Sequence, residues 1–451
     1  MTGTKHLLRI LAVVITLVLL SAACGSDDEE SSSAGDGDAA AEADGDDGSD
    51  DGDSDDGDAS PGELTEGPGF DGSTIRVGVL SALSGPTAVI GTQLAAGKQV
   101  YFDYLNAEEG GVAGQYQVEI VLEDHLYDTA TAVQKYGKIK DDVVIISQLM
   151  GTPSVFAALP LLEEDNLVAS PASQDAFWVR EQQLFPVIEP YQVDVINALS
   201  YYLGDGGGST DDTICAVIQN DLYGEAGLEG LEYSAEAFGF ELAAAPRYGA
   251  GDQDFTAQVT ELVNAECDMV FATALPTEFG GILGTAAQSG FAPRWIGQSP
   301  AWVDELAATD LAPYLEANVW ITALGREWGD PESATMTEMV DRVATYKPDQ
   351  EPDYYFTFGY IQAWAVHQLL DEAVANGDLS REGIVSAMNG MSTIDFGDIG
   401  PAYEYGPPED RNPPRGSTIF EVDVAKPFAL GALASNVTSP EAEAYEFTDA
   451  E

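Results

Sequence analysis

Residues 75–114 read IRVGVLSALSGPTAVIGTQLAAGKQVYFDYLNAEEGGVAG. A buried strand is expected over 75–80, a tight small-residue turn over 81–85, and a helix from about 92 to 108. The helix should end at Gly110 and Gly111, which accept the left-handed backbone that few other residues tolerate. A second strand over 116–123 would complete the opening of a βαβ unit. That arrangement puts Ser84 at the carboxyl end of the first strand, where open α/β sheets bind ligands.

Further along, strand-like and helical runs alternate. Strands are expected at 143–147, 167–169, 213–219 and 269–274. Small polar turns follow two of them, GTPS at 151–154 and SPASQ at 170–174. The helix over 224–238 places Leu228, Leu231, Ala235 and Phe238 on one face and stops at Gly239. Asp254 fits an N-cap for the helix after it. The pattern predicts two βαβ lobes in series with parallel sheets covered on both faces, and a third, helical portion near 354–375 and 384–388.

The amino-terminal end reads as an export segment. Lys5 and Arg9 precede an apolar run at 7–20, and Ser21, Ala22 and Ala23 form a small-residue processing site before Cys24. The site resembles a bacterial lipobox in which Cys24 is acylated, although Ser21 stands where leucine is usual. An ordinary secretory signal ending at a cysteine is the other reading. Residues 25–72 hold 19 acids and no base, with Leu64 and Phe70 as the only large apolar residues. Such a segment cannot bury enough surface to offset chain entropy and is expected to be a disordered acidic linker. As a coil it would reach roughly 35–40 Å.

The chain carries 78 acids and 17 bases, a formal net charge of −61. Without the linker acids and the two signal bases, about −44 remains on the folded body. Nucleic acid is therefore excluded as a partner by charge repulsion. After Cys24 only Cys215 and Cys267 remain, and they can close a disulfide or lie reduced in the core. His6, His125 and His367 are scattered, with no HExxH or CxxC spacing and no phosphate-loop or dinucleotide glycine pattern. Neither a metal nor a cofactor is expected. Gly297-Gln298-Ser299-Pro300-Ala301 matches a nucleophile elbow only through its third residue.

The stretches VGVLSALSGPTAVIG from Val77, NAEEGGVAG from Asn106, SPASQ from Ser170, NDLYGEAGLEG from Asn220 and GDQDF from Gly251 together carry a family likeness. In order and spacing the chain resembles the solute-binding proteins of ABC importers, of the leucine/isoleucine/valine-binding type with the type 1 periplasmic-binding fold. The resemblance implies two doubly wound α/β lobes joined by three crossovers, lobe one being 73–191 plus 321–393 and lobe two 192–320 plus 394–451. It implies that Gly151, Thr152 and Ser154, with Ala172, Ser173 and Gln174, hold a ligand carboxylate through backbone and hydroxyl groups. Free amides at a strand end and helix start suit an anion. Tyr223 would pack on the ligand as the cleft shuts.

Two positions depart from the amino-acid binders. Ser299 stands where they place an acid for the ligand ammonium, and Leu275 where they have a tyrosine. A buried ammonium without a carboxylate partner is costly, so a carboxylate, amide or aromatic ligand ranks beside an amino acid. Trp178 and Trp302 could stack on a ring, with ordinary core packing the favoured reading of each. The resemblance implies a monomeric, non-enzymatic protein on the outer face of the membrane that serves an ABC permease and its ATPase subunits. A sensory receptor module of the same fold and a secreted hydrolase using Ser299 are the rival readings.

Overall fold

The computed structural model describes residues 64–323 and 325–448. The export segment, Cys24 and most of the acidic linker lie outside the described residues. The linker was expected to run to Gly72, but it ends earlier. Thr65 pairs with the far side of the first lobe, its amide donating to Gly377 O at 2.9 Å while Leu379 N donates to Thr65 O at 2.9 Å. Phe70 packs edge-on against Tyr116 with centroids 5.1 Å apart. Leu64 and Phe70 thus act as apolar anchors at the edge of the core.

The first lobe opens with β1 (Thr74–Ser81), α1 (Ala88–Tyr104), β2 (Gln117–Asp124), α2 (Thr129–Ile139), β3 (Ile145–Met150), α3 (Thr152–Asp165) and β4 (Ala169–Ala172). Its four strands lie in the order β2-β1-β3-β4, all parallel. Val77 and Val79 of β1 are fully buried, as a strand covered on both faces requires. Helix α1 runs on into a π-helical turn, Leu105–Glu109, and stops at Gly110 with φ 81°.

The second lobe follows: α4 (Tyr191–Leu203), β5 (Ile214–Gln219), α5 (Leu222–Phe238), β6 (Arg247–Tyr248), α6 (Thr256–Asn264), β7 (Met269–Thr273), α7 (Pro276–Ser289), β8 (Arg294–Gly297), α8 (Ala312–Asn318) and β9 (Val319–Ala323). The chain then returns to the first lobe with α9 (Ala334–Tyr346), α10 (Tyr354–Ala375), α11 (Arg381–Gly390) and the small pair β10 (Thr393–Ile394) and β11 (Tyr403–Glu404). It ends in the second lobe with β12 (Ser417–Val422), β13 (Leu430–Val437) and α12 (Pro440–Ala444).

The second sheet has seven strands in the order β13-β12-β9-β8-β7-β5-β6. It is parallel except at one edge, where β12 enters antiparallel to β9 and turns back into β13. Two expected lobe boundaries move accordingly. Strand β9 belongs wholly to the second sheet, so the second crossing lies after Ala323 and not before Ile321. Ile394, Phe396, Ile399, Tyr403 and Tyr405 pack into the first lobe's core, so the third crossing lies after them.

Cys215 on β5 and Cys267, two residues before β7, form a disulfide with Cα atoms 5.9 Å apart. The bond joins neighbouring parallel strands inside the second core. At the first crossing Glu189 and Asp194 are both buried, with Asp194 Oδ1 accepting from Ser417 Oγ of β12 at 2.7 Å. No cation in the described residues pairs with either. Burial, then the neighbouring Asp194 charge, push the Glu189 carboxyl well up. Burial pushes Asp194 up too, while Ser417 and Glu189 hold it back.

Candidate functional site

Residues that follow β3 and β4 in one lobe and β5, β7 and β8 in the other come together. Between them lies a narrow cavity. Gly151, Thr152, Ala172, Ser173 and Gln174 line it from the first lobe, and Tyr223, Leu275 and Ser299 from the second. Eight of the ten residues expected to touch a ligand are therefore gathered in one place. Ser84 and Ser154 are not. The hydroxyl of Ser84 is exposed and donates to Asp124 Oδ2 at 2.6 Å, turning the first βα loop away from the cavity. Ser154 is buried one turn into α3, its amide donating to Gly151 O at 3.0 Å.

The two strand ends are held by separate devices. Gly151 is the N-cap of α3 at φ 95° and ψ 127°, a conformation almost confined to glycine. A Cβ there would also stand 2.8 Å from the ring of Tyr127, which leans over the turn. Gly151→Ala should lower unfolding free energy by about 1–3 kcal/mol and displace the Tyr127 ring. Urea unfolding and the fluorescence of the variant would check this, and an unchanged midpoint would refute it. At the second strand end, Gln174 O accepts from Tyr191 N at 2.7 Å, and Ser173 Oγ accepts from Trp178 Nε1 at 3.0 Å. Asp175, pushed up to about 6 by burial against its hydrogen bonds from Gln192 and Phe177, fixes the turn behind them.

Contacts across the cavity show the lobes closed. Ser299 Oγ donates to Gln174 Oε1 at 3.3 Å and Tyr355 OH to Pro300 O at 2.9 Å. Tyr191 and Tyr223 meet edge to face with centroids 5.3 Å apart. Tyr223, Leu275 and Val303 pack into the same apolar cluster as the first lobe's core. Tyr223 OH donates to Ala274 O at 3.2 Å, and burial raises its hydroxyl well above the usual tyrosine value. Ser299 bonds an amide oxygen and not an imidazole, so no activated nucleophile is assembled around it.

Of the two readings of the tryptophans, ordinary packing is the one the structure shows. Trp178 packs on Phe156 and Phe177 away from the cavity, and Trp302 Nε1 donates to Phe428 O at 3.0 Å. Tyrosines and a phenylalanine take that place instead: Tyr127, Tyr191, Tyr354, Tyr355 and Phe358, with Ile90, Leu94 and Met150 as apolar floor. Tyr127 follows β2, so the strand-end rule applied to the first strand would have found it on the second. Tyr354, Tyr355 and Phe358 come from the first turns of α10, a helix the sequence placed but did not orient. No charged side chain is among the lining residues. The orphaned Thr152 Oγ1 is the one lining side-chain atom among the described residues buried without a partner. The site offers hydroxyls and an amide at one end and aromatic walls around the rest.

A family model described as "Periplasmic binding protein" matches residues 74–427. The leucine-, isoleucine-, valine-, threonine-, and alanine-binding protein of Pseudomonas aeruginosa is 24% identical over 236 residues, 52% of this chain and 63% of that relative. The Leu/Ile/Val-binding protein of Escherichia coli is 23% identical over 348 residues, 74% of this chain and 89% of the relative. Among solved structures, a fatty acid ABC transporter substrate-binding protein from Thermomonospora curvata superposes with a TM-score of 0.80 at 25% identity, covering 86% of this chain and 98% of its own. A branched chain amino acid ABC transporter structure from Thermus thermophilus with bound valine gives a TM-score of 0.70 at 18% identity, covering 82% and 98%.

Proposed function

Because the chain belongs to the periplasmic binding protein family, we propose that it captures a small amphipathic molecule outside the cytoplasm and hands it to an ABC permease with its ATPase subunits. The ligand is a carboxylate, or its amide, with an apolar or aromatic body. The observation that carries this reading is the cavity wall, in which aromatic rings surround a few hydroxyls and amides and no carboxylate waits for an ammonium. An α-amino acid would bury its ammonium unpaired there, at a cost of several kcal/mol. A ligand carboxylate would sit at the strand ends, within reach of Thr152 Oγ1, Ser173 and the start of α3. The likeness to a fatty acid-binding relative supports the same choice.

Ligand contacts to both lobes favour the closed form over an open one, and the three crossings act as the hinge. No bond is made or broken. The protein works as a monomer, held at the outer face of the membrane by acylated Cys24 and its acidic tether. No helix among the described residues is long and apolar enough to cross a membrane.

A thermal-shift panel tests the reading. Hexanoate, octanoate, phenylacetate and their amides should raise the melting temperature, and leucine and valine should not. At 100 times its dissociation constant a ligand adds about 2.7 kcal/mol. A response confined to the branched-chain amino acids would overturn the ligand class and keep the family.

A further inference from the structure

Helices α1 and α10 cross where Gly97 and Gly359 leave no room for side chains. A Cβ at Gly97 would stand 2.1 Å from Phe356 O, and one at Gly359 the same 2.1 Å from Leu94 O. This close crossing sets Lys98 of α1 opposite Gln362 of α10. Lys98 is 0% exposed, and its Nζ donates to Gln362 Oε1 at 2.6 Å. The Gln362 amide in turn donates to Ser170 Oγ at 2.8 Å and to the Ser170 and Pro171 carbonyls at 3.2 and 3.0 Å. Ala172, Ser173 and Gln174, the next three residues, line the cavity.

Leu94 and Phe358 line that cavity as well, each one turn before Lys98 and Gln362 on the same helix face. Long side chains on a helix lean toward its amino end, so the amine and the amide both point to the cavity side. An amine therefore lies one turn beneath a site that has no charge of its own. Burial alone holds Lys98 well below the ordinary lysine value.

We propose that Lys98 is the counter-charge for an anionic ligand, taking up a proton from solvent as a carboxylate settles at the strand ends above it. The inference rests on the carboxylate reading of the ligand. With the site empty, burial in the seam works against an unpaired ammonium there. Occupied, the ligand's negative charge makes the ammonium favourable, and the site gains a cation only when an anion is present. The charged and titratable groups along the same seam are otherwise engaged. Tyr101 bonds His367 Nδ1 at 2.8 Å, and His367 Nε2 faces Asp371. On α9, Arg342 pairs with Glu338 and lies over Tyr104 while donating to Tyr360. Asp103 accepts from Gln99 at 2.8 Å.

The test is calorimetric titration of the full-length chain at pH 8, in two buffers of different ionisation enthalpy. The probes are hexanoate and phenylacetate, each beside its amide. The carboxylates should bind with uptake approaching one proton and the amides with none. Lys98→Met should keep amide affinity, lose the proton uptake and weaken carboxylate binding about tenfold or more. Carboxylate binding without proton uptake, unchanged in Lys98→Met, would overturn the role of Lys98 and leave the carboxylate reading standing. Binding of leucine but of neither carboxylate would overturn both. Should Lys98→Met fail to fold, the proton count of the unaltered protein decides alone.

Discussion

Taking the protein from pH 8 to pH 5 should raise its unfolding free energy by several kcal/mol. Asp353, the N-cap of α10, accepts from Phe356 N at 2.9 Å. It is only 6% exposed. Burial, with Asp304 and Glu305 adding to it, pushes its carboxyl from the ordinary 3.8 up to about 8. Asp175 rises to about 6, and the Glu189–Asp194 pair also rises. The folded state thus binds more protons than the unfolded one between about pH 4 and pH 8, so stability falls as pH rises through that window. Ionising Asp353 in place costs on the order of 5 kcal/mol.

Below pH 4 the sign reverses. Carboxyls held low by hydrogen bonds, such as Asp398 at about 2 beside Ser333 and Thr335, lose their stabilising ionisation there. The optimum is therefore acidic, near pH 4–6. Urea unfolding at pH 5, 6.5 and 8 in 0.5 M salt would measure the slope, the salt damping the general repulsion of a chain with net charge −61. Asp353→Asn keeps the cap and removes the titration, so it should flatten the slope. An unchanged slope in that variant would remove Asp353 from the account.

Removing the Cys215–Cys267 bond should cost about 4 kcal/mol, because the ring it closes spans a sequence separation of 52 and restricts the unfolded chain accordingly. Both cysteines are buried, so reductant should act only when β5 and β7 open locally. The double variant Cys215→Ala/Cys267→Ala, compared with the oxidised protein by urea unfolding, measures the effect. A loss below about 1 kcal/mol would mean that the constraint is matched by structure retained in the unfolded chain.

Much of this arrangement was legible in the residues because apolar runs and small-residue turns recur with a fixed alternation. The strands around Val77, Ile146 and Val217 were placed within a few positions, since a strand buried on both faces has to be continuously apolar. That eight of the candidate residues line one cavity was legible because strand ends converge in this topology, whatever their side chains. Ser84 failed because Asp124, on the neighbouring strand, captures its hydroxyl, and pairings across strands are not written locally. The tryptophans were read first as core and are core, although size alone marks core and binding wall alike. Leu64 and Phe70 stood out inside the acidic linker, and their anchoring role follows from that contrast. Lys98 gave no signal of its own. Its burial comes from a helix crossing set by glycines far apart in the chain.

That crossing also orders events in time. Lys98 and Gln362 are 264 residues apart, and every strand of the second lobe from β5 to β9 is synthesised between them. A chain emerging amino end first exposes the apolar face of α1 from the moment the first strands appear until α10 follows. The loop entropy of such a separation grows only logarithmically, so the finished contact is affordable, but the wait for it is long. Strands β5 to β9 are consecutive and can assemble during that wait. The first lobe is thus the earliest to begin folding yet waits for α10, while β12 and β13 close the second lobe last; the uncovered face of α1 is the surface a holding chaperone would need to cover.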